Sequence, residues 1–356
     1  MRKNSILIVL LALFSSENAL AQHDSIGIHS RVEELRDAYV SNGHFDGTEE
    51  EFYKWFYAKG KEGYFNRKNV YETLTEEESS IGKSYEEFIV LMGLHVVEDV
   101  DTDIYTSPIP DNNTFAIIFG NEDYKHEESV PYAANDANIF SKYVNRTLGV
   151  PYNHIRLVEN AGYNDLRIAI NWLVQAMKVC KGKGRAIVYY AGHGIPNEKD
   201  GSIYLLPVDG YGNDTESAYS IKDLYDKLSN MEAKSVTVFL DACFSGAKRE
   251  GDMLASSRGV AIKTKPTTPS GNIVVFSAAQ GSETAYPYKE KQHGLFTYYL
   301  LKKLKESKGE ITLGELSDYL SEEVGRESFV INGKIQTPTT ISSNDLRNIW
   351  RGLKIK

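Results

Sequence analysis

The sequence predicts an α/β protein with a mostly parallel β-sheet that carries helices on both faces. From residue 114 onward, short runs rich in β-branched and aromatic residues alternate with segments of helical apolar periodicity. Strands and helices that alternate in this way form parallel sheets covered on both sides. The composition, with 41% hydrophobic and 25% charged residues, is typical of a globular protein. We therefore predict a three-layer sandwich with a sheet of about six strands.

Six segments carry the strand pattern, five carry the helical pattern, and one long segment carries neither. The predicted strands are Thr114–Phe119, His154–Val158, Ala186–Tyr190, Ser235–Leu240, Asn272–Phe276 and 337–342. The predicted helices are 136–148, 164–180, 221–231, 294–305 and 313–324. Segment 247–271 is rich in Lys, Arg, Ser, Thr, Gly and Pro. A segment of this length without periodicity is usually functional or mobile, and we predict a mobile loop.

The first 21 residues have the pattern of a secretory signal peptide. Arg2 and Lys3 precede the apolar run Ile6–Phe14, which is too short to cross a bilayer. Ala19 and Ala21 supply the small residues that a signal peptidase reads, so we predict cleavage after Ala21. A buried N-terminal helix is the alternative. The signal peptide implies a secreted or periplasmic protein.

Residues 22–107 predict a small helical module, and residues 108–356 a separate α/β domain. Thr48 and Ser84 each precede a Glu by three residues, as in the capping boxes that begin helices. Pro108 and Pro110 indicate the linker between the two parts. Nothing in the module suggests chemistry, so a structural, regulatory or binding role stays open.

Charge and cysteine content exclude several classes of protein. The net charge of −9 argues against nucleic-acid binding, which depends on clustered Lys and Arg. Beyond the signal peptide no apolar run approaches 18 residues, so we expect no membrane association of the mature protein. Two cysteines, Cys180 and Cys243, do not make a disulfide scaffold. Cys180 closes an apolar helical pattern and is interpreted as a packing residue.

His193 and Cys243 follow two of the predicted strands and are the candidate catalytic pair. In parallel sheets, ligands bind beyond the carboxyl ends of the strands, so neighbouring strands would bring the two residues to one crevice. A nearby imidazole promotes the thiolate of a nucleophilic cysteine and can protonate the leaving amine. The backbone amides of Gly194 and Cys243 are the candidate oxyanion hole.

The motifs around these residues resemble those of caspase-like cysteine peptidases, in particular metacaspases and bacterial orthocaspases of peptidase family C14. The matching motifs are Tyr-Tyr-Ala-Gly-His-Gly at 189–194 and Asp-Ala-Cys-Phe-Ser-Gly at 241–246. The separation of 243 − 193 = 50 residues agrees with the roughly 50 residues between His and Cys in caspases. The resemblance spans about 112–345, includes His-Gly-Leu-Phe-Thr at 293–297, and implies a caspase-like sandwich.

The resemblance to metacaspases implies an acidic S1 pocket. Asp241 lies two residues before Cys243 on an extended strand, so both side chains should point the same way. In metacaspases the residue at this position lines S1 together with a second acid, which corresponds to Asp136. Two carboxylates favour Arg or Lys at P1. Asp136 can also be read as a stabilising charge at a helix N-terminus. Ala191 and Ala133 replace a Ser and a Cys found in some metacaspases.

Two features of the sequence bear on how activity is controlled: a basic loop and a set of scattered acids. An enzyme with an acidic S1 pocket could cut its own loop 247–271, although any exposed loop collects charge. The candidate self-cleavage sites are Lys248, Arg249, Arg258, Lys263 and Lys265. Calcium, which many metacaspases need, could involve Asp209, Asp223 and Glu250, but these read better as scattered surface acids. We expect neither a metal nor another cofactor.

The sequence thus predicts a secreted cysteine endopeptidase that cuts after Arg or Lys through an acyl-enzyme. Its expected partners are peptide or protein substrates with a basic P1 residue, and a monomer is favoured. One alternative is a catalytically weak caspase-fold protein that binds basic peptides. Another is a related clan of His–Cys peptidases of the clostripain or gingipain kind.

Overall fold

The computed structural model describes residues 100–244, 267–281 and 283–356. These residues belong to one compact unit, Asp99–Lys356, so the unit includes the last residues of the segment predicted as an N-terminal module. The predicted signal peptide, residues 22–99 and loop residues 247–266 lie outside the described residues.

Short apolar runs form the strands, as their β-branched and aromatic content predicts. The strands are β1 (Thr114–Gly120), β2 (Ile155–Glu159), β3 (Arg185–Ala191), β4 (Gly194–Pro196), β5 (Ile203–Leu205), β6 (Tyr219–Ser220), β7 (Ser235–Asp241), β8 (Ile273–Ser277), β9 (Pro287–Tyr288), β10 (His293–Gly294) and β11 (Thr339–Ser342). The helices are α1 (Ala133–Arg146), α2 (Tyr163–Cys180), α3 (Ile221–Ser229), α4 (Leu295–Ser307) and α5 (Leu313–Asn332). Short 3-10 turns occur at Tyr152–His154, Thr215–Ser217, Lys289–Lys291, Asn344–Leu346 and Trp350–Gly352.

The central sheet has six strands in the order β11-β8-β7-β3-β1-β2. All neighbours are parallel except β11, which runs antiparallel to β8. The prediction of about six mostly parallel strands is therefore confirmed. Strands β3 and β7 lie side by side in the middle of the sheet, where their carboxyl ends share one edge.

Helices cover both faces of this sheet because side chains alternate along each buried strand. Ile118 of β1 packs in one cluster with Phe140 of α1 and Leu300 of α4. Its neighbour Ile117 faces the other way, into a second cluster with Ile170 of α2. The two clusters lie on opposite faces, which gives the predicted three layers.

Several elements differ from the sequence prediction. A small sheet of order β4-β5-β6 and the two-stranded ladder of β9 and β10 were not predicted, since strands of two or three residues show no periodicity. Helix α5 was predicted to end at residue 324 but continues to Asn332. Its last two turns bury only Ser328, and Phe329 is exposed, so an apolar pattern does not mark them.

Within the part of the chain that the structure describes, no helix is both long enough and apolar enough to cross a membrane.

Candidate active site

The two candidate catalytic residues follow the carboxyl ends of β3 and β7, which are neighbouring strands of the central sheet. Ala191 of β3 is paired in register with Asp241 of β7, and His193 and Cys243 each lie two residues further on. The backbone of Gly194 packs directly against the Cys243 segment. A Cβ atom at this glycine would lie 2.9 Å from the Cys243 carbonyl oxygen. The structure therefore brings the two motifs together at the edge where the sequence placed them.

The imidazole of His193 is buried and oriented by a main-chain carbonyl. Its Nε2 atom lies 2.9 Å from the carbonyl oxygen of Glu128. A carbonyl only accepts hydrogen bonds, so in the neutral ring Nε2 carries the hydrogen and Nδ1 is the basic nitrogen. This tautomer is the one that can accept a proton through Nδ1 while Nε2 stays anchored.

Two tyrosine hydroxyls hold the main chain of His193. The Tyr124 hydroxyl oxygen accepts a hydrogen bond from the His193 amide at 2.8 Å, and its ring lies 4.7 Å from the imidazole. The Tyr190 hydroxyl lies 2.8 Å from the His193 carbonyl oxygen. Burial, reinforced by the neighbouring Tyr124, raises the pKa of Tyr190 well above its usual value, so its hydroxyl stays a donor. Both main-chain polar groups of the histidine are thus fixed.

The loop that carries Glu128 is itself anchored. The amide of Lys125 donates to the carbonyl of Val208 at 2.9 Å. The carboxylate of Glu127 accepts a hydrogen bond from the amide of Gly212, also at 2.9 Å. These contacts tie the loop after β1 to the segment after β5, and they hold the Glu128 carbonyl in place against His193.

The thiol of Cys243 lies against the main chain of Ala285. The sulfur is 2.9 Å from the Ala285 amide nitrogen and 3.5 Å from the Ala285 carbonyl oxygen. Gln336 supports this segment, since its side-chain oxygen accepts from the Tyr286 amide at 2.8 Å and its side-chain nitrogen donates to Ala278 at 2.9 Å. Cys243 is only 5% exposed, so the enclosure around the thiol is narrow.

Asp241 is buried beside the first turn of α4. Its Oδ2 atom lies 2.6 Å from the Thr297 hydroxyl, and that hydroxyl lies 2.6 Å from the hydroxyl of Tyr189. A carboxylate accepts only, so Thr297 donates to Asp241 and receives the hydrogen bond of Tyr189. The chain of donors fixes the Asp241 carboxylate next to the strand end that leads to Cys243.

Asp136, the second predicted pocket acid, is fully buried in α1 and already has protein partners. Its Oδ1 atom is 2.7 Å from Nδ1 of His293, and its Oδ2 atom accepts from the Gly294 amide at 3.0 Å. Nε2 of His293 lies 2.8 Å from the carboxylate of Asp101. The structure therefore places Asp136 in a buried network with His293 and Asp101.

Both predicted pocket acids converge on one end of α4. Asp136 accepts from the Gly294 amide immediately before the helix, and Asp241 accepts from Thr297 in its first turn. A helix N-terminus carries partial positive charge and favours carboxylates. The sequence reading of Asp136 as a charge at its own helix N-terminus is compatible with its place in the first turn of α1.

Several of these groups were not predicted from the sequence. Tyr124, the Glu128 carbonyl and Asp101 lie in loops with no recognisable motif, and a main-chain carbonyl leaves no residue-type signal. Tyr190 and His293 lie within the motifs at 189–194 and 293–297, but their roles depend on contacts with distant segments. The candidate self-cleavage sites Lys248, Arg249, Arg258, Lys263 and Lys265 lie outside the described residues.

The three acids that could bind calcium, Asp209, Asp223 and Glu250, have different settings. Asp209 accepts a hydrogen bond from the Tyr163 amide at 2.9 Å, and Asp223 lies in the first turn of α3. Glu250 is outside the described residues. In residues 100–244, 267–281 and 283–356, no group of three or more His, Cys, Asp or Glu side chains is arranged to hold a metal ion.

Comparison with known proteins identifies the family. A sequence model described as the caspase domain, of peptidase family C14, matches residues 113–349, more than half of the chain. The chain belongs to the caspase-domain family. Its matched region contains His193, Cys243, Asp136 and Asp241. No curated protein sequence matches the chain.

Two solved structures are similar to the chain. Caspase-1 from Spodoptera frugiperda shares 16% identity at a TM-score of 0.47, covering 68% of this chain and 92% of its own. A protein from Geobacter sulfurreducens shares 18% identity at a TM-score of 0.48, covering 66% of this chain and 94% of its own.

Proposed function

We propose that this caspase-family protein is a secreted cysteine endopeptidase that cuts peptide bonds after Arg or Lys. The observation that carries the proposal is the placement of His193 and Cys243 beyond paired strand ends, with the imidazole oriented by the Glu128 carbonyl. A thiol and an oriented imidazole at one crevice are the parts that acyl transfer through cysteine needs.

In the first half of the reaction Cys243 is the nucleophile. His193 accepts the thiol proton at Nδ1, and the sulfur attacks the carbonyl carbon of the scissile bond. The amides of Gly194 and Cys243 are the proposed donors to the oxyanion. The imidazolium then gives its proton to the leaving amine as the C–N bond breaks, which leaves a thioester on Cys243.

In the second half water hydrolyses the thioester. His193 takes a proton from the water molecule, the resulting hydroxide attacks the thioester carbon, and the C–S bond breaks. The proton returns to the sulfur or stays on the imidazole as the carboxylic acid product leaves. The protons therefore balance over one turnover, since each one that His193 accepts is passed on to the leaving amine, to the sulfur or to solvent.

The preference for a basic P1 residue is proposed from Asp241 and Asp136. Both carboxylates lie buried at the end of α4, and Asp241 directly precedes the Cys243 segment. Buried negative charge attracts a guanidinium or ammonium group and repels an acidic P1 side chain. This charge pattern supports Arg or Lys over Asp.

The test is hydrolysis of fluorogenic peptides with P1 Arg, Lys or Asp by protein that begins at residue 22. We expect the basic substrates to be cut, and Cys243→Ala and His193→Ala each to lower kcat by at least about 1,000-fold. Cys180→Ala is the matched control, because Cys180 ends helix α2 away from the strand-end motifs, and it should retain full activity.

Other outcomes would favour the alternative function or contradict the S1 assignment, and a separate measurement tests secretion. Binding of basic peptides without Cys243-dependent hydrolysis would favour the binding-protein alternative. Hydrolysis after Asp would contradict the S1 assignment. Intact-mass measurement of the exported protein tests the secretion proposal, since cleavage after Ala21 leaves Gln22 as the first residue.

Self-cleavage in loop 247–271 follows from the same specificity. We expect prolonged incubation to produce fragments that end at Lys248, Arg249, Arg258, Lys263 or Lys265, whereas Cys243→Ala protein stays intact. Mass spectrometry of both proteins decides the point. A wild-type chain that remains uncut while it hydrolyses peptides would rule out self-cleavage.

A further inference from the structure

His293 lies between two carboxylates and is buried. Its Nδ1 atom is 2.7 Å from Asp136, its Nε2 atom is 2.8 Å from Asp101, and its side chain has no exposed surface. Carboxylates accept hydrogen bonds, so both ring nitrogens must carry hydrogen and the ring is an imidazolium. A buried cation of this kind is stable only with such partners.

The surroundings of His293 support the charged state. Burial by itself would lower the pKa of His293, but hydrogen bonds to Asp101 and Asp136, with their charges, raise the pKa to about 9. The titratable and charged groups that face or adjoin His293 are Asp101 before β1, Asp136 on α1, Tyr288 on β9, Lys291 in the intervening turn and Tyr298 on α4.

This network continues to the acid beside the nucleophile. Asp136 accepts the Gly294 amide, so the ion network holds the residue at which α4 begins. Three residues further on, Thr297 donates its hydroxyl to Asp241 at 2.6 Å. The position of the first turn of α4 therefore determines where the Thr297 hydroxyl meets Asp241.

We propose that Asp101 and His293 are positioning residues that hold Asp241 in place for a basic P1 side chain. The inference rests on the proposed peptidase function and deepens it. Asp101 precedes the region matched by the caspase-domain model, which starts at residue 113, and its side chain is 34% exposed. The segment upstream of the matched domain thereby takes part in substrate selection.

The experiment compares Asp101→Asn with Asp103→Asn as the matched control. Asp103 is an exposed neighbour with a φ of 48°, a conformation that Asn accepts equally well. For Asp101→Asn we expect KM for P1-Arg peptides to rise about 5-fold, since the hydrogen bond to His293 loses its charged acceptor, with kcat nearly unchanged. Peptides with P1 Gln are expected to be poorer substrates, and their low kcat/KM should be the same in Asp101→Asn and in wild type. Asp103→Asn should change the hydrolysis of neither peptide.

Thr297 tests the other end of the network. Thr297→Val removes the hydroxyl and keeps the shape, so it should raise KM for P1-Arg peptides in the same way, and Thr297→Ser should restore it. A variant that merely loosened the fold would impair P1-Arg and P1-Gln substrates alike. Equal losses on both substrates, or no change in KM for P1-Arg peptides, would overturn the proposal.

Two measurements on Cys243→Ala protein separate this inference from the peptidase function. Agmatine, which carries the arginine guanidinium, should bind about 5-fold more weakly when Asp101→Asn is added. Imidazole NMR should show a lower pKa for His293 in the same variant. If no peptide is cut but agmatine binding follows this pattern, the peptidase proposal fails and the positioning role stands. Unchanged agmatine affinity overturns the positioning role.

Discussion

The amide nitrogen of His193 lies 2.8 Å from the hydroxyl oxygen of Tyr124, so a tyrosine from the loop after β1 fixes the main chain of the proposed base. The same residue packs its ring against the imidazole at 4.7 Å. Correct orientation of a catalytic group contributes much of an enzyme's rate enhancement, and even a small displacement of that group lowers activity.

Tyr124→Phe should therefore lower both kcat and the free energy of unfolding. The variant keeps the ring contact and removes the acceptor of the His193 amide, which costs about 1–3 kcal/mol if the amide finds no other partner. We expect kcat for a P1-Arg peptide to fall about 10-fold. Tyr152→Phe, at a side chain that is 80% exposed, is the control. Wild-type kcat in Tyr124→Phe would show that the hydroxyl does not position His193.

Gly194→Ala should disable the site sterically. A Cβ atom at residue 194 would lie 2.4 Å from a ring carbon of Phe244 and 2.9 Å from the Cys243 carbonyl oxygen. The Cys243 segment must shift to make room, so we expect kcat/KM to fall about 100-fold or more. Gly352→Ala has no atom within 4 Å of the added carbon and should behave as wild type. Steady-state kinetics of both variants decide the matter.

The free energy of unfolding should fall as pH rises from about 6.5 to about 9. The folded-state pKa of His293, about 9, exceeds its unfolded value of 6.5. Its contribution is therefore fully present below pH 6.5 and is lost as pH rises through 9, which amounts to roughly 3 kcal/mol. Urea unfolding of Cys243→Ala protein at a series of pH values measures this change in the free energy of unfolding.

Asp101→Asn should flatten this pH dependence, because it removes one of the two carboxylates that raise the pKa of His293. The Asp103→Asn control should follow the parent protein. Identical pH profiles for Asp101→Asn and its parent would mean that His293 does not depend on Asp101 for its charge.

Gln336→Leu should destabilise the segment that lies against Cys243. The substitution leaves the Tyr286 amide and the Ala278 carbonyl without their side-chain partners, at a cost of about 1–3 kcal/mol. The thiol of Cys243 should then react faster with iodoacetamide, because Ala285 is held less firmly. Gln175→Leu on the exposed face of α2 is the control. Unchanged thiol reactivity would show that Gln336 does not support this contact.

Calcium should not be required for activity. Asp209 serves the start of α2 through the Tyr163 amide, and Asp223 lies in the first turn of α3, so each has a role at a helix N-terminus. We expect hydrolysis of P1-Arg peptides to be equal in excess EDTA and in millimolar calcium. A calcium-dependent rise in kcat/KM would contradict the expected calcium independence and would make Glu250 the next candidate ligand to mutate.

The mostly parallel sheet and the placement of both motifs at strand ends were predictable because they depend on local patterns. Ala186–Tyr190 and Ser235–Leu240 are continuous runs of β-branched and aromatic residues, and parallel packing brings their carboxyl ends to one edge of the sheet. The extra turns of α5 were missed because they bury only Ser328, and the short strands β4 to β6 because two or three residues show no periodicity.

The sequence alone placed His193 and Cys243 beyond neighbouring strand ends, since residue type and strand-end position suffice to propose a base and a nucleophile at one edge. The partners that orient them could not. Tyr124 and Glu128 reach His193, and Asp101 reaches His293 across 192 positions, only because folding brings separate loops together. Hydrogen bonds between distant segments leave no periodic signature in a sequence, so only the tertiary structure decided how the proposed pair is held and which groups bind Asp136.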